Sequence, residues 1–503
     1  MRIRFGICLA ALAAAWLATP AMADVKVTGG AVHGESLADG SSVYRGIPYA
    51  APPVGKLRWV PPQPVVPWAG VRDATKIQAP CAQANEGWNA WEAGAGKEDC
   101  LYLSVHAPKP VAGRKLPVFV WIHGGSNHAG SGYGTADSVI YKHGIVVVSI
   151  EYRLGVFGFL ASPELSAESA HRSSGNYGLL DQIAALEWVR HNIAAFGGDP
   201  DKVTVGGQSA GSIDVGMLMR SPLTRGLFAR AIQESGGLGV PRTLAQAEAI
   251  GSGLYGKFNL PAGADGLAKL RALPAADLIA QADTLTTPEN NSGTLWGAAI
   301  ADDWVMPGIA NDVYRSGADA RVPLIIGNNT KEFDMPANAA PGLIRTVFGA
   351  NADKALALYG VTGDQTPPDD PILGGTGTQA LTDLIFRCPA NLIMGWQIKA
   401  KQKVWRYEFG VERPGSPTVA HNAELDYVFS EIPKDATFGT WPPVQRYWAN
   451  FIKTGNPNGS GLPEWREANE GLSYMAFTPD GPKSGKDLRG PICRLMAESR
   501  GDS

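Results

Sequence analysis

The chain has 503 residues, 45% of them hydrophobic, and its 44 Lys and Arg residues nearly balance 47 Asp and Glu residues, for a formal net charge of −3. A chain of this length can bury a large apolar core, in one domain or in several. The near-neutral charge and the lack of a basic run with interleaved aromatic residues exclude nucleic acid as an expected partner.

The first 23 residues have the pattern of a secretory signal peptide. Residues 1–4 are basic, residues 5–18 are apolar, and residues 21–23 offer the small side chains that a signal peptidase accepts. Pro20 interrupts the apolar run before it reaches the about 20 residues that span a bilayer. We therefore expect cleavage after Ala23, no membrane span, and an exported protein that is periplasmic or secreted.

Four cysteines remain after this cleavage, and an even number permits two disulfides in an exported chain. A bond between Cys81 and Cys100 would close a short loop and contribute about 3 kcal/mol in the loop-entropy treatment. Cys388 and Cys493 are then left, either as a second disulfide or as two buried free thiols. No clustered spacing of histidine and cysteine indicates a metal site, and we expect no metal or organic cofactor.

Short apolar runs rich in β-branched residues alternate with segments of helical periodicity. The strand-like runs are residues 116–122, 145–150, 203–206 and 322–327, and the helical segments are residues 179–193, 246–254 and 443–453. This alternation predicts an α/β fold with a mostly parallel sheet covered by helices on both faces. Because no linker rich in Pro, Gly or Ser marks a boundary, residues 24–503 are expected to form a single domain.

A glycine pair follows the first of these predicted strands, in the order His123, Gly124, Gly125, Ser126. Glycine lets the main chain approach a ligand oxygen closely, because no side chain stands in the way. Amides of this turn are therefore candidates for binding an oxyanion. An ordinary glycine turn would have the same sequence.

The pattern G-x-S-x-G occurs at Gly207, Ser209 and Gly211, after a predicted strand and before a plausible helix. This is the context of the nucleophile elbow of the α/β-hydrolase fold, in which a strained strand-to-helix turn exposes the serine. Residues two before and two after the serine must be nearly free of side chain, as glycine is. The amide of Ala210, at the start of the helix, is a further candidate oxyanion donor. In a chain with 61 glycines the motif also occurs by chance.

A serine nucleophile needs a base, and the base needs a carboxylate that fixes its tautomer. His421 lies in a loop-like segment and is the candidate base, although a lone histidine there is more often surface or core. Glu332 follows a predicted buried strand and is the candidate carboxylate, although such a carboxylate is usually solvated. The order Ser209, Glu332, His421 is the order that the α/β-hydrolase fold uses.

Many ordered segments of the chain resemble the type B carboxylesterases, the family of para-nitrobenzyl esterase-like bacterial enzymes and of the cholinesterases. The similar segments are residues 44–50, 52–55, 98–105, 151–155, 158–160, 175–182, 192–193, 196–200, 447–451 and 454–458. They cover most of the mature chain. The resemblance implies the α/β-hydrolase fold and the hydrolysis of carboxylic esters through an acyl-enzyme.

The resemblance also implies roles for individual residues. It assigns the triad to Ser209, Glu332 and His421, and it implies the disulfide between Cys81 and Cys100. It assigns the oxyanion donors to the amides of Gly125, Ser126 and Ala210. The chain departs from the family where Ser126 replaces a third glycine, where Thr330 and Lys331 precede the acid, and where Asn422 follows the histidine. Gln208, before the serine, replaces the glutamate of cholinesterases.

The sequence leaves the substrate open. A small-molecule ester is the expected partner, and the chain is expected to act as a monomer or a homodimer. A choline-ester hydrolase would need an aromatic cage, for which Trp88 and Trp91 are candidates, although both tryptophans could instead pack their loop. Hydrolysis of a toxin ester or a polyester remains open, since residues 290–304 are among the candidate pocket walls. A non-catalytic adhesion homologue would lack a triad residue. His128 is expected to face solvent rather than to line the pocket.

Overall fold

The computed structural model describes residues 24–136, 138–285, 299–308, 312–415, 419–469 and 471–502. The predicted signal peptide, residues 1–23, lies outside these ranges. Most of the predicted pocket wall at residues 290–304 also lies outside them.

The strands fall into one large sheet and two small ones. The strands are β1 Val25–Val27, β2 Gly30–His33, β3 Glu35–Ser36, β4 Ser42–Pro48, β5 Val71–Asp73, β6 Tyr102–Ala107, β7 Leu116–Ile122, β8 Val146–Ile150, β9 Gly198–Gln208, β10 Arg230–Glu234, β11 Arg242–Thr243, β12 Ile300–Ala301, β13 Leu324–Asn329, β14 Val404–Phe409, β15 Ser473–Thr478 and β16 Gly481–Lys486. The large sheet has eleven strands, in the order β16-β15-β14-β13-β10-β9-β7-β8-β6-β4-β3. Its centre, from β15 to β8, is parallel, and both margins are antiparallel.

Helices connect these strands. The α-helices are α1 Ala90–Ala95, α2 Tyr133–Ala136, α3 Gly155–Phe159, α4 Pro163–Glu168, α5 Tyr177–Asn192, α6 Ala210–Arg220, α7 Leu244–Lys257, α8 Ala264–Ala272, α9 Ala275–Ala282, α10 Asp312–Ser316, α11 Ala340–Phe348, α12 Ala352–Leu358, α13 Thr376–Thr382, α14 Cys388–Lys399, α15 Leu425–Phe429, α16 Val444–Thr454 and α17 Gly490–Arg500. Each parallel pair of strands requires such a crossover connection.

The central strands are buried on both faces. In β7, Val118 and Val120 pack into one apolar cluster, and the alternate residues Phe119 and Trp121 pack into another. Helices α5 and α6 contribute to the first cluster, and α16 contributes to the second. Since successive side chains of a strand point to opposite faces, a strand covered on both sides is apolar throughout. This is why the sequence showed continuous apolar runs instead of alternation.

Two disulfides join the four cysteines of the described chain, for which the sequence had predicted one pairing and left the other undecided. Cys81 is bonded to Cys100, as the resemblance implied, and Cys388 at the start of α14 is bonded to Cys493 in α17. The second bond resolves the choice between a disulfide and two free thiols. It lies in a separate apolar cluster built mainly from α11, α12, α14 and α17.

Candidate active site

The candidate site residues lie at the carboxyl end of the parallel strands. Ser209 directly follows β9, the turn from His123 to Asn127 follows β7, Glu332 comes three residues after β13, and His421 lies in the segment after β14. Because β14, β13, β10, β9 and β7 are consecutive and parallel in the sheet, their carboxyl ends share one edge. The sheet order thus brings together segments that are far apart in the sequence.

The turn at Ser209 is strained and tightly packed. Ser209 has φ 56° and ψ −125°, a conformation that L-residues rarely adopt, and α6 begins at the next residue. A Cβ added to Gly207 would lie 2.5 Å from the Gly211 carbonyl oxygen, and one added to Gly211 would lie 2.1 Å from the Ile122 carbonyl oxygen. Only glycine fits at these two positions, because any side chain would collide with backbone.

Among the backbone N–H groups close to this turn, those of Gly125, Ser126 and Ala210 have no acceptor within the described ranges. Ala210 is the first residue of α6, where the amides have no helical partner. The glycine turn packs directly on the elbow, since a Cβ added to Gly124 would lie 3.0 Å from Ser209 Cβ. Unpaired donors on two segments in contact are the arrangement that an oxyanion hole requires.

Gly125 and Ser126 hold the glycine turn in a left-handed conformation. Gly125 has φ 103°, and a Cβ there would lie 1.9 Å from the Ala129 carbonyl oxygen. Ser126, which stands where the family has a glycine, has φ 58° and is exposed. Its side chain therefore costs backbone strain without filling space beneath the turn.

Glu332 contacts His421 through its side chain and through its main chain. The carboxylate Oε2 lies 2.6 Å from the ring nitrogen Nδ1 of His421. The Glu332 main-chain carbonyl accepts the backbone N–H of His421 at 2.8 Å. The other carboxylate oxygen, Oε1, accepts the N–H of Asn329 at 2.7 Å. Since Glu332 is fully buried and acts as acceptor, it holds the hydrogen of the imidazole on Nδ1 and leaves Nε2 as an acceptor.

The free nitrogen of His421 faces the residue before the nucleophile. The Gln208 side-chain amide donates to His421 Nε2 at 3.2 Å. Within the described ranges no hydrogen bond joins Ser209 to His421. The imidazole of His421 therefore lies next to the nucleophile turn, and Gln208 is the hydrogen-bond partner of its Nε2. No feature of the sequence indicated this contact.

The pKa of His421 is set by competing effects. Burial lowers it, but the hydrogen bond that Glu332 accepts and the charges of Glu332 and Glu424 together raise this pKa above its ordinary value. Glu424 is a buried carboxylate whose pKa is raised to about 7, first by burial and then by the charge of Glu332. Its Oε2 accepts the side-chain amide of Asn329 at 2.7 Å, so Asn329 links the two carboxylates.

Aromatic side chains surround the candidate base and the glycine turn. The ring centroids of Phe333 and Phe386 lie 4.5 Å and 5.2 Å from that of His421. A ring atom of Trp88 lies 3.4 Å from the position of a Cβ on Gly125, although 65% of Trp88 is exposed. Trp91 is also exposed. These tryptophans therefore do not simply pack the interior of their loop.

His128 does not face solvent, and that expectation is wrong. Its residue is only 6% exposed, and its Nε2 lies 3.2 Å from Glu86 Oε1 and 3.5 Å from Asp283 Oδ1. The reason is local: the His128 N–H donates to the Gly125 carbonyl, which folds the turn inward.

The described part of the chain has neither a metal-binding cluster nor a membrane-spanning helix. No group of three or more His, Cys, Asp or Glu side chains there is placed to hold a metal ion. None of the described helices is both long and apolar enough to traverse a bilayer.

Known proteins resemble this chain in sequence and in structure. A model described as the carboxylesterase family matches residues 21–347 and 363–494, which include all three candidate triad residues. A fumonisin B1 esterase of Sphingopyxis macrogoltabida is 37% identical over 407 residues, or 77% of this chain and 72% of that protein. An acylcarnitine hydrolase of Mus musculus is 32% identical over 494 residues, or 90% of this chain and 85% of that protein. The solved structure of a PNB esterase matches with a TM-score of 0.80 at 30% identity, over 94% of this chain and 99% of that chain.

Proposed function

Because the chain belongs to the carboxylesterase family and is therefore a carboxylic ester hydrolase, we propose that Ser209 is its nucleophile, with His421 as general base and Glu332 as the supporting carboxylate. The observation that carries this proposal is the position of the His421 ring. Its Nδ1 contacts Glu332 at 2.6 Å, while Nε2 faces the residue before Ser209. A serine hydroxyl becomes an effective nucleophile only beside such an oriented base.

The reaction then proceeds in two half-steps. Ser209 Oγ, which takes the place of the Gln208 amide at His421 Nε2, attacks the ester carbonyl carbon and gives its proton to the imidazole. The amides of Gly125, Ser126 and Ala210 stabilise the oxyanion. The imidazolium protonates the leaving alcohol, and an acyl-enzyme remains. His421 next removes a proton from water, which attacks the carbonyl carbon of the acyl-enzyme. The imidazolium then returns this proton to Ser209 Oγ as the acid leaves.

The pH dependence of kcat/KM provides one test. His421 acts as a base only when neutral, so activity is expected to fall as the pH decreases through its pKa. Since Glu332 and Glu424 raise that pKa above its ordinary value of 6.5, the loss should set in at a higher pH than for a free imidazole. The profile is measured with an uncharged aryl ester, whose own charge does not change. An apparent pKa below 6.5 would contradict the assigned Glu332 contact.

Covalent labelling tests the nucleophile directly. Diethyl 4-nitrophenyl phosphate is expected to inactivate the enzyme by phosphorylating Ser209 Oγ with loss of 4-nitrophenol. Mass spectrometry of the digested protein should place one diethylphosphoryl group on the peptide that contains residue 209. Labelling of a different serine that parallels the inactivation would refute the assignment. Absence of both labelling and hydrolysis would instead favour a non-catalytic homologue.

We infer that the substrates are esters with an apolar group next to the scissile bond. The exposed rings of Phe333 and Trp88 support this, because one flanks His421 and the other lies against the Gly125 turn. The neutral Gln208 beside the nucleophile provides no charge to attract a cation. A panel of aryl, alkyl, choline, acylcarnitine and fumonisin esters separates the candidates. Highest kcat/KM for a quaternary ammonium ester would favour the cage of Trp88 and Trp91 instead.

We further infer an exported enzyme whose mature chain, residues 24–503, forms one catalytic domain and acts as a monomer or a homodimer. Two disulfides support an oxidising compartment, since such bonds rarely persist in a reducing cytosol. N-terminal sequencing of the exported protein should begin at Asp24. Light scattering after size-exclusion chromatography measures the number of subunits.

A further inference from the structure

The side-chain amide of Asn127 is held at both of its ends. Asn127 ends the glycine turn and is almost completely buried. Its Oδ1 accepts the hydroxyl of Tyr152 at 2.9 Å, and its Nδ2 donates to Asp214 Oδ1 at 2.9 Å. The Tyr152 hydroxyl also lies 2.8 Å from the carbonyl oxygen of His123, at the other end of the turn. That hydroxyl has one hydrogen for these two acceptors, so the bond from Asn127 Nδ2 to the Asp214 carboxylate is the contact that orients the amide.

Asp214 lies in α6, five residues after Ser209, and is almost completely buried. Its second oxygen accepts the side-chain amide of Gln182, in α5, at 2.5 Å. Burial raises the pKa of Asp214 to about 7, while the amides of Asn127 and Gln182 lower it to a smaller extent. No cation pairs with this carboxylate in the described part of the chain, since the groups that act on its pKa are the neutral amides of Asn127 and Gln182.

A buried carboxylate without a cation costs free energy, so stability alone does not explain its presence. The glycine turn, by contrast, needs an external support. Ser126 and Asn127 have φ 58° and 55°, and a left-handed residue other than glycine costs roughly 1 kcal/mol. The Asn127 carbonyl also accepts the Gly155 N–H at 2.7 Å. The side-chain bond to Asp214 is a hydrogen bond between this strained turn and the nucleophile helix.

We propose that Asp214 is a positioning residue for the oxyanion hole, because it ties the turn that carries the Gly125 and Ser126 amides to the helix that carries Ser209 and Ala210. This inference rests on the proposed function, since it needs Ser209 as the nucleophile. The oxyanion exists only in the transition state and the intermediate, so donors that are out of place lower kcat without weakening substrate binding. A displacement of about 1 Å is enough for a loss of about 100-fold.

Exchanging the two hydrogen-bond partners tests this role. Asp214→Asn turns an amide N–H₂ toward either Asn127 or Gln182, both of which are donors, so one bond is lost. Asn127→Asp sets two carboxylates against each other. Each single variant is expected to lower kcat by about 10- to 100-fold, with KM changed less than about twofold. The double variant re-forms the bond between residues 127 and 214 with donor and acceptor reversed, and it keeps the bonds that Tyr152 and Gln182 donate. Its kcat should therefore return to within about threefold of the parent value.

A second measurement separates positioning from simple loss of fold. The affinity of an alkyl trifluoromethyl ketone, which mimics the tetrahedral intermediate, should fall in the single variants in parallel with kcat/KM and recover in the double variant. Thermal unfolding and the fraction of sites labelled by diethyl 4-nitrophenyl phosphate correct for misfolded protein. Asn127→Gly is the reserve variant, because glycine tolerates the left-handed backbone and removes only the amide.

Two results would overturn the proposal: single variants with unchanged kcat per labelled site, or a double variant no better than the worse single one. Failure of the proposed function gives a different result, since residue 209 of the parent enzyme would then not be labelled at all. The two failures are therefore distinguishable in one series of proteins.

Discussion

Replacing Ser209 by alanine is expected to lower kcat for a short-chain aryl ester by about six orders of magnitude, the loss seen when a serine hydrolase loses its nucleophile. Alanine removes Oγ, the atom that forms the acyl bond, and no other hydroxyl can occupy its position. The oxyanion donors and the substrate pocket remain, so a small residual rate over the uncatalysed reaction should persist. Fixed-time assays at high enzyme concentration measure this residual activity, after thorough removal of contaminating esterases.

The control for Ser209→Ala must separate chemistry from strain. Ser209 has φ 56°, where alanine is no better tolerated than serine, so Ser209→Gly is a useful companion that relieves the backbone. Ser252→Ala is the matched control, since Ser252 is exposed and its hydroxyl donates only to the Glu248 carbonyl within α7. Full activity in Ser209→Ala would move the nucleophile to another residue.

Replacing Glu332 by glutamine is expected to lower kcat by two to four orders of magnitude. The new side-chain oxygen would keep the bond from the Asn329 N–H, which leaves the amide N–H₂ facing His421 Nδ1. The imidazole must then carry its hydrogen on Nε2, where it cannot accept the proton of Ser209. The pKa of His421 should fall as well, because the charge of Glu332 is one of the effects that raise it. Both changes appear in the pH profile of kcat/KM.

Two neighbouring carboxylates are the alternatives to Glu332. Asp426 forms an ion pair with Arg413 at the surface, so Asp426→Asn is the matched control and should leave kcat unchanged. Glu424 is buried and hydrogen-bonded to Asn329. Because its charge raises the pKa of His421, Glu424→Gln should lower the pKa seen in the pH profile and change the rate less. An unaltered rate in Glu332→Gln together with a large loss in Asp426→Asn or in Glu424→Gln would reassign the carboxylate.

The sequence predicted the central strands well and their ends less well. The run 116–122 coincides with β7, because its alternate residues are all apolar and each face of the sheet buries one set. The run 322–327 became β13 at Leu324–Asn329, two residues later. Asn328 and Asn329 extend the strand because they pair with β14, and Asn328 accepts a hydrogen bond from Arg406. Local hydrophobicity carries no signal for such polar pairing.

The resemblance to carboxylesterases and the α/β-hydrolase fold are confirmed by the family match and by the likeness to PNB esterase. The roles of Ser209, Glu332 and His421 stay predictions. The network behind the glycine turn was not foreseen, because Asn127, Tyr152 and Asp214 belong to three different segments and none of them forms a recognisable motif. The burial of His128 was missed because it depends on the fold of the glycine turn, in which the His128 N–H donates to the Gly125 carbonyl.

The sequence by itself determined three things: the glycines that flank Ser209, the alternation of strand and helix signals that predicts a parallel sheet, and the ordered segments that indicate the family. These signals are local, since glycine spacing and strand periodicity depend on neighbours in the chain. Only the tertiary structure decided which distant groups meet, among them Gln208 with His421 and Asn127 with Asp214. Such contacts depend on the order of strands in the sheet, which is fixed when the two apolar faces are buried together and leaves no trace in any single segment.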